Sequence, residues 1–148
     1  MVMDSEFSKQ IKEQMEQYGC QAEGLEIGVS EGELLDHQES AVALLQTLTD
    51  MGFKFTVNNF GITDTSLTYL SRLPINNLKV DASLIANVSE HEVVVKVIAA
   101  LAKSMDANLI AEGVETSAQV ELLKEAGCSG LEGYYFSQPM SLSALLNR

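Results

Sequence analysis

Apolar residues recur along this chain at two spacings, and the spacings predict its elements. Phe7, Ile11, Met15 and Tyr18 return every three or four residues with polar residues between them, which predicts an amphipathic helix over 5–18 that Gly19 ends. Leu25 and Ile27 flank Glu26, so residues 24–27 read as a short strand with the carboxylate on its other face. The polar stretch 30–38 reads as a loop. Ser40 is then placed to cap a helix carrying Val42, Leu44, Leu45, Leu48 and Met51, with Gly52 at its stop. Phe53, Phe55 and Val57 alternate with Lys54 and Thr56, a strand that delivers Asn58 and Asn59 at its end.

A short helix over 66–72 stops before Pro74. Residues 77–81 form a strand-like run with Lys79 and Asp81 on one face. Ser89 with Glu92 makes a capping box for a helix through Val94, Val97, Ile98, Leu101 and Met105. The strand at 108–112 turns at Gly113. Thr116 with Gln119 makes a second capping box, opening a helix through Val120, Leu122, Leu123 and Ala126 that ends at Gly127. Gly-Tyr-Tyr-Phe at 133–136 predicts the last strand, and Leu142, Leu145 and Leu146 a helical tail. One helix followed by strand–helix repeats predicts a parallel α/β sheet with right-handed crossovers. No Pro-, Gly- or Ser-rich linker divides the chain, so 1–148 reads as a single domain.

With 148 residues the chain is shorter than the roughly 250 of a complete (β/α)8 barrel, so the expected architecture is a partial barrel of about five parallel strands. Nine basic against 21 acidic side chains, a net charge of -12, oppose contact with nucleic acid polymers and anionic membranes. The first residues are acidic where a secretory leader is basic, and no apolar run approaches the ~18 residues of a membrane span, which predicts a cytoplasmic protein. Cys20 and Cys128 stand alone and read as reduced thiols.

In parallel α/β folds ligands sit at the carboxyl ends of the strands. The pattern places there Glu26, the pair Asn58 and Asn59, Lys79 with Asp81, Glu112 with Glu115, and Glu132. Acids around one lysine suit a hard divalent cation that bridges to phosphate. The same residues also make a cation-free rim, in which Lys79 pairs with Glu112 or Asp81 and the two asparagines plug neighbouring loops. His37 and His91 lie in polar surroundings and read as solvated.

Six runs carry a resemblance: LEI at 25–27, NNFG at 58–61, SLTYLSRLP at 66–74, LKVD at 78–81, IAEGVET at 110–116 and GYYFSQP at 133–139. In order and spacing, across nearly the whole chain, they resemble the EAL domain, the bacterial cyclic di-GMP phosphodiesterase module. The resemblance implies a TIM-like barrel in which two Mg²⁺ or Mn²⁺ ions assist hydrolysis of cyclic di-GMP to linear pGpG. It implies metal-ligand positions at Glu26 and Asp81, catalytic positions at Lys79 and Glu112, and binding positions at Asn58, Asn59, Glu115 and Glu132.

The departures from the family pattern shape the expectation. Asn58 and Asn59 stand where the family has adjacent aspartates, and Glu132 where it has glutamine. The loop after the pair, Ile62, Thr63, Asp64 and Thr65, lacks the usual glycine, and Val29 stands where an acid braces that loop. The Glu-Ala-Leu signature, its companion asparagine and the family's first three strands have no counterpart. The expectation is therefore a truncated, degenerate and catalytically inactive domain without a cofactor, a regulatory protein-interaction module in cyclic di-GMP signalling. The alternative is a phosphodiesterase using Mg or Mn whose missing ligands come from a partner chain. A partial barrel leaves two strand edges and one sheet face bare, which predicts self-association or a protein partner.

Overall fold

A computed structural model describes residues 5–62 and 65–147 of the chain. Helix α1 (Ser5–Tyr18) turns Phe7, Ile11 and Met15 toward the core. Strand β1 (Glu26–Ser30) runs into α2 (Glu31–Asp36), and α3 (Gln38–Asp50) leads to β2 (Lys54–Phe60). The short α4 (Leu67–Leu70) precedes β3 (Asn77–Val80), which is followed by α5 (Ala82–Ala86) and the long α6 (Val88–Ser104). Strand β4 (Asn108–Ala111), α7 (Ser117–Ala126), β5 (Gly130–Leu131) and α8 (Leu142–Leu146) complete the order. The strands form one parallel sheet in sequence order, β1-β2-β3-β4-β5.

Side chains alternate across a strand, so each strand divides its residues between two faces. One face carries Val29, Phe55, Val57, Leu78, Val80, Leu109 and Ala111, all buried against Leu34, Leu45, Leu48, Ile85, Val95, Ile98 and Leu123 of the helices. The opposite face is polar. The register sets Gly28, Thr56, Asn77 and Asn108 side by side across four strands. Asn108 Nδ2 donates to Asn77 Oδ1 at 3.0 Å, Asn77 Nδ2 to Thr56 Oγ1 at 3.2 Å, and Thr56 Oγ1 to Glu26 Oε1. Thr56 and Asn77 are buried, and this row pairs their polar atoms without water.

The structure departs from the sequence reading in several places, the first being β1, read over 24–27 and observed at Glu26–Ser30. Residues 31–36 are helical: Ser30 Oγ accepts from Glu33 N, the Glu33 carboxylate accepts from Ser30 N, and Leu34 is buried. Helix α3 begins at Gln38, ahead of Ser40, whose hydroxyl donates to His37 O. Helix α6 begins at Val88, so Ser89 lies inside it. Its buried stripe is Val88, Val95, Ile98 and Ala102, with Val94 and Val97 facing outward. The last strand is Gly130–Leu131, and 133–136 is a turn. Strand β4 stops at Ala111, so the chain beyond Glu132 finds no ladder and bonds instead to the loop around Val114.

Helix α7 is capped as its sequence predicts. Thr116 Oγ1 accepts from Gln119 N, Gln119 answers on Thr116 N, and Gly127 takes the left-handed φ of 97°. Thr116→Ala is expected to lower unfolding stability by about 1 kcal/mol in urea titrations, the usual cost of a lost N-cap.

Candidate functional site

The carboxyl end of β2 is bent. Pairing with β3 shifts between Val57 and Phe60, and Asn59 adopts φ 55°, a conformation asparagine tolerates better than most residues. The bend turns Asn59 Nδ2 onto Asp81 Oδ2 at 2.9 Å. Asp81 also caps α5, accepting from Ser83 N at 2.9 Å, and hydrogen bonds from Ser83 and then Asn59 hold its carboxyl below the usual range. Asn58 lies over Gly28: a Cβ on Gly28 would sit 2.6 Å from Asn58 Nδ2, so the amide fills the space a β1 side chain would take.

Lys79 pairs with Glu132 at 2.8 Å, reaching across β4, rather than with Glu112 or Asp81. The hydrogen bond to Glu132 raises the lysine pKa, and the charges of Glu132, Glu112 and Glu26 add to it against partial burial. Beside this pair a cleft of about 660 Å³ is lined by Asn59, Glu112, Glu115, Glu132, Tyr134 and Gln138, among others. A second cleft, about 530 Å³, lies at the other end of the sheet between α6 and α7, away from these acids.

Glu26 is not at the rim. Strand β1 begins with it and continues to Ser30, so Glu26 lies at the amino end, where Thr56 donates to its carboxylate. The residue that reaches the level of Asn58 on that face is Ser30, and Gly28 lies beneath the amide. Val29 belongs to the core. The bend after β2 nevertheless has an acidic brace, and it is Glu31. Its carboxylate, 1% exposed, accepts from Gly61 N at 3.1 Å and from Thr65 Oγ1. No local signal marks Glu31, because its partners lie some thirty positions later. Thr63 and Asp64 fall outside the described residues.

Five parallel strands alternating with helices, with a polar cluster at their carboxyl ends, define a section of a (β/α) barrel and its ligand rim. The EAL domain model matches residues 1–139, and the chain belongs to that family. It is 36% identical over 139 residues to the cyclic di-GMP phosphodiesterase NbdA of Pseudomonas aeruginosa, covering 92% of this chain and 18% of that protein. It is 35% identical over 133 residues to the signaling protein YkoW of Bacillus subtilis, covering 88% and 17% respectively. Among solved structures it superposes on the PaMucR phosphodiesterase in complex with c-di-GMP with a TM-score of 0.90 and 29% identity, over 95% of this chain and 58% of that one. The chain thus spans less than a fifth of these curated relatives. Among the described residues no helix is long and apolar enough to cross a membrane.

Two predictions test this geometry. Glu31→Ala leaves the Gly61 N–H without its acceptor, so stability should fall by roughly 2 kcal/mol and amide exchange at 61–62 should accelerate. A lysine pKa raised by folding adds stability that is present below the free value near about 10.4 and lost as pH rises through the higher folded value. The stability advantage of the native chain over Glu132→Gln should therefore hold at neutral pH and shrink in melts taken above that value.

Proposed function

We propose that this EAL domain is a non-catalytic regulatory module of cyclic di-GMP signalling that acts by binding protein. The observation that carries the reading is the engagement of the rim. Two cations in one site need several anionic oxygens to hold them and offset their mutual repulsion. Here Asn58 and Asn59 are neutral, Asp81 is taken by Asn59 and Ser83, Glu132 by Lys79, and Glu26 by Thr56 at the wrong end of its strand. Among the described residues no three His, Cys, Asp or Glu side chains converge as a metal-holding group. These residues do not fit a two-cation centre.

Protein binding is supported by the surface beside β5. Tyr134, Tyr135, Phe136, Leu142, Leu145 and Leu146, all in the segment that follows β5, are exposed. The occupant such a surface suits is an apolar segment of a partner protein that adds to the open edge of β5.

Purified chain incubated with cyclic di-GMP and Mn²⁺ should yield no pGpG above the background of a metal-free control. Turnover comparable to an intact EAL phosphodiesterase would falsify the reading and favour the metal-dependent alternative, with Lys79 and Glu112 in catalytic positions and Glu115 in the binding surface.

A further inference from the structure

Lys79 is the one basic side chain among the strand-end residues, and its ammonium is already engaged. Glu132 Oε2 lies 2.8 Å from Lys79 Nζ, and the two side chains are 22% and 48% exposed, the lysine the deeper of them. The main chain holds Glu132 from both sides: its N–H donates to Ala111 O at 2.8 Å and its carbonyl accepts from Val114 N at 2.9 Å. The next residue, Gly133, packs so closely on the same loop that a Cβ there would lie 2.1 Å from Val114 O. The carboxylate is therefore delivered over Lys79 by fixed backbone. Such a pair needs less side-chain ordering than Lys96 and Glu92, which meet on the surface of a single helix.

Where that carboxylate sits decides what the lysine can do. A free ammonium at the strand ends is a point charge suited to an oxyanion such as phosphate. An oxyanion on Lys79 needs the place that Glu132 Oε2 fills. It would also have to enter through the cleft beside the pair, whose walls include the carboxylates of Glu112, Glu115 and Glu132. Like charges a few ångströms apart at a half-buried site repel strongly. On the intervening strand Ile110 has no polar side-chain atom that could take the place of either partner.

We propose that Glu132 is an internal anion that occupies Lys79 and closes the rim to phosphate-bearing ligands, so that this one residue sets the charge the rim accepts. The inference rests on the reading of the rim as one that holds no pair of cations, and it adds what keeps a ligand's own phosphates out. An amide of the same size at position 132 keeps an acceptor for Lys79 but leaves the ammonium charge uncompensated there, available to a phosphate oxygen.

Calorimetric titrations in EDTA, with cyclic di-GMP in one arm and inorganic phosphate in the other, test this without any metal. Glu132→Gln and Glu132→Ala, each checked for a native circular dichroism spectrum, should bind both probes at least about tenfold more tightly than the native chain. Adding Lys79→Met to Glu132→Gln should abolish the gain, and backbone amide shifts at 79–81 and 131–133 should follow the titration. Glu115→Gln removes an equal charge from the same cleft without touching the pair, so it should stay within about twofold of the native chain. A native chain that binds cyclic di-GMP in EDTA as tightly as Glu132→Gln overturns the proposal. So does a gain that persists without Lys79, or an equal gain in Glu115→Gln, which would assign the exclusion to net charge alone. Turnover by the native chain bears on the non-catalytic reading, whereas these titrations read only whether Glu132 keeps phosphate from Lys79.

Discussion

Parallel pairing at a period of two residues is the constraint on which the rest of this structure depends. Helices cover the sheet face of Phe55, Val57, Leu78, Val80 and Leu109, so the intervening residues must share the opposite face. Because the strands are in register, those residues meet in rows, and Asn108, Asn77, Thr56 and Glu26 complete each other's hydrogen bonds. On the face without a helical cover the central polar groups, Thr56 and Asn77, are buried and satisfied by one another and by their neighbours. The apolar surface of the protein lies elsewhere, on the outer side of α6 and along the segment after β5.

The same register decides which side chains reach the rim and what they meet there. Lys79 belongs to β3 and Glu132 directly follows β5, yet they pair across β4, whose Ile110 between them does not compete for charge. Asp81 leaves β3 as the cap of α5 and is already bonded before Asn59 reaches it. The result is a rim in which an amide and a backbone N–H hold Asp81 and one lysine holds Glu132. Those engagements are what the proposed regulatory role rests on.

The bend after β2 links these parts. Glu31 grips Gly61 from one side while Leu84 and Ile98 limit it from the other, so α2, α5 and α6 all meet at the end of the strand that carries Asn58 and Asn59.

Local chemistry made a good part of this fold readable. The limits of α1, the strand at Asn108, the reciprocal cap of Thr116 and Gln119 and the stop at Gly127 all rest on interactions within four residues, and they stand where the sequence puts them. Helix α2 was equally readable from Ser30 and Glu33, although its polar composition suggests a loop. What sequence by itself could not decide were choices between equivalent local options. Two valine stripes on α6 satisfy the same periodicity, and only packing on β3 and β4 selects the one that is buried. Tyr134 to Phe136 have the composition of a strand, but β4 ends too soon to pair with them. Glu26, Val29 and Glu31 differ by a few positions along one segment. Their fates, a row of hydrogen bonds, the core and the brace of a distant bend, follow from contacts some thirty residues away.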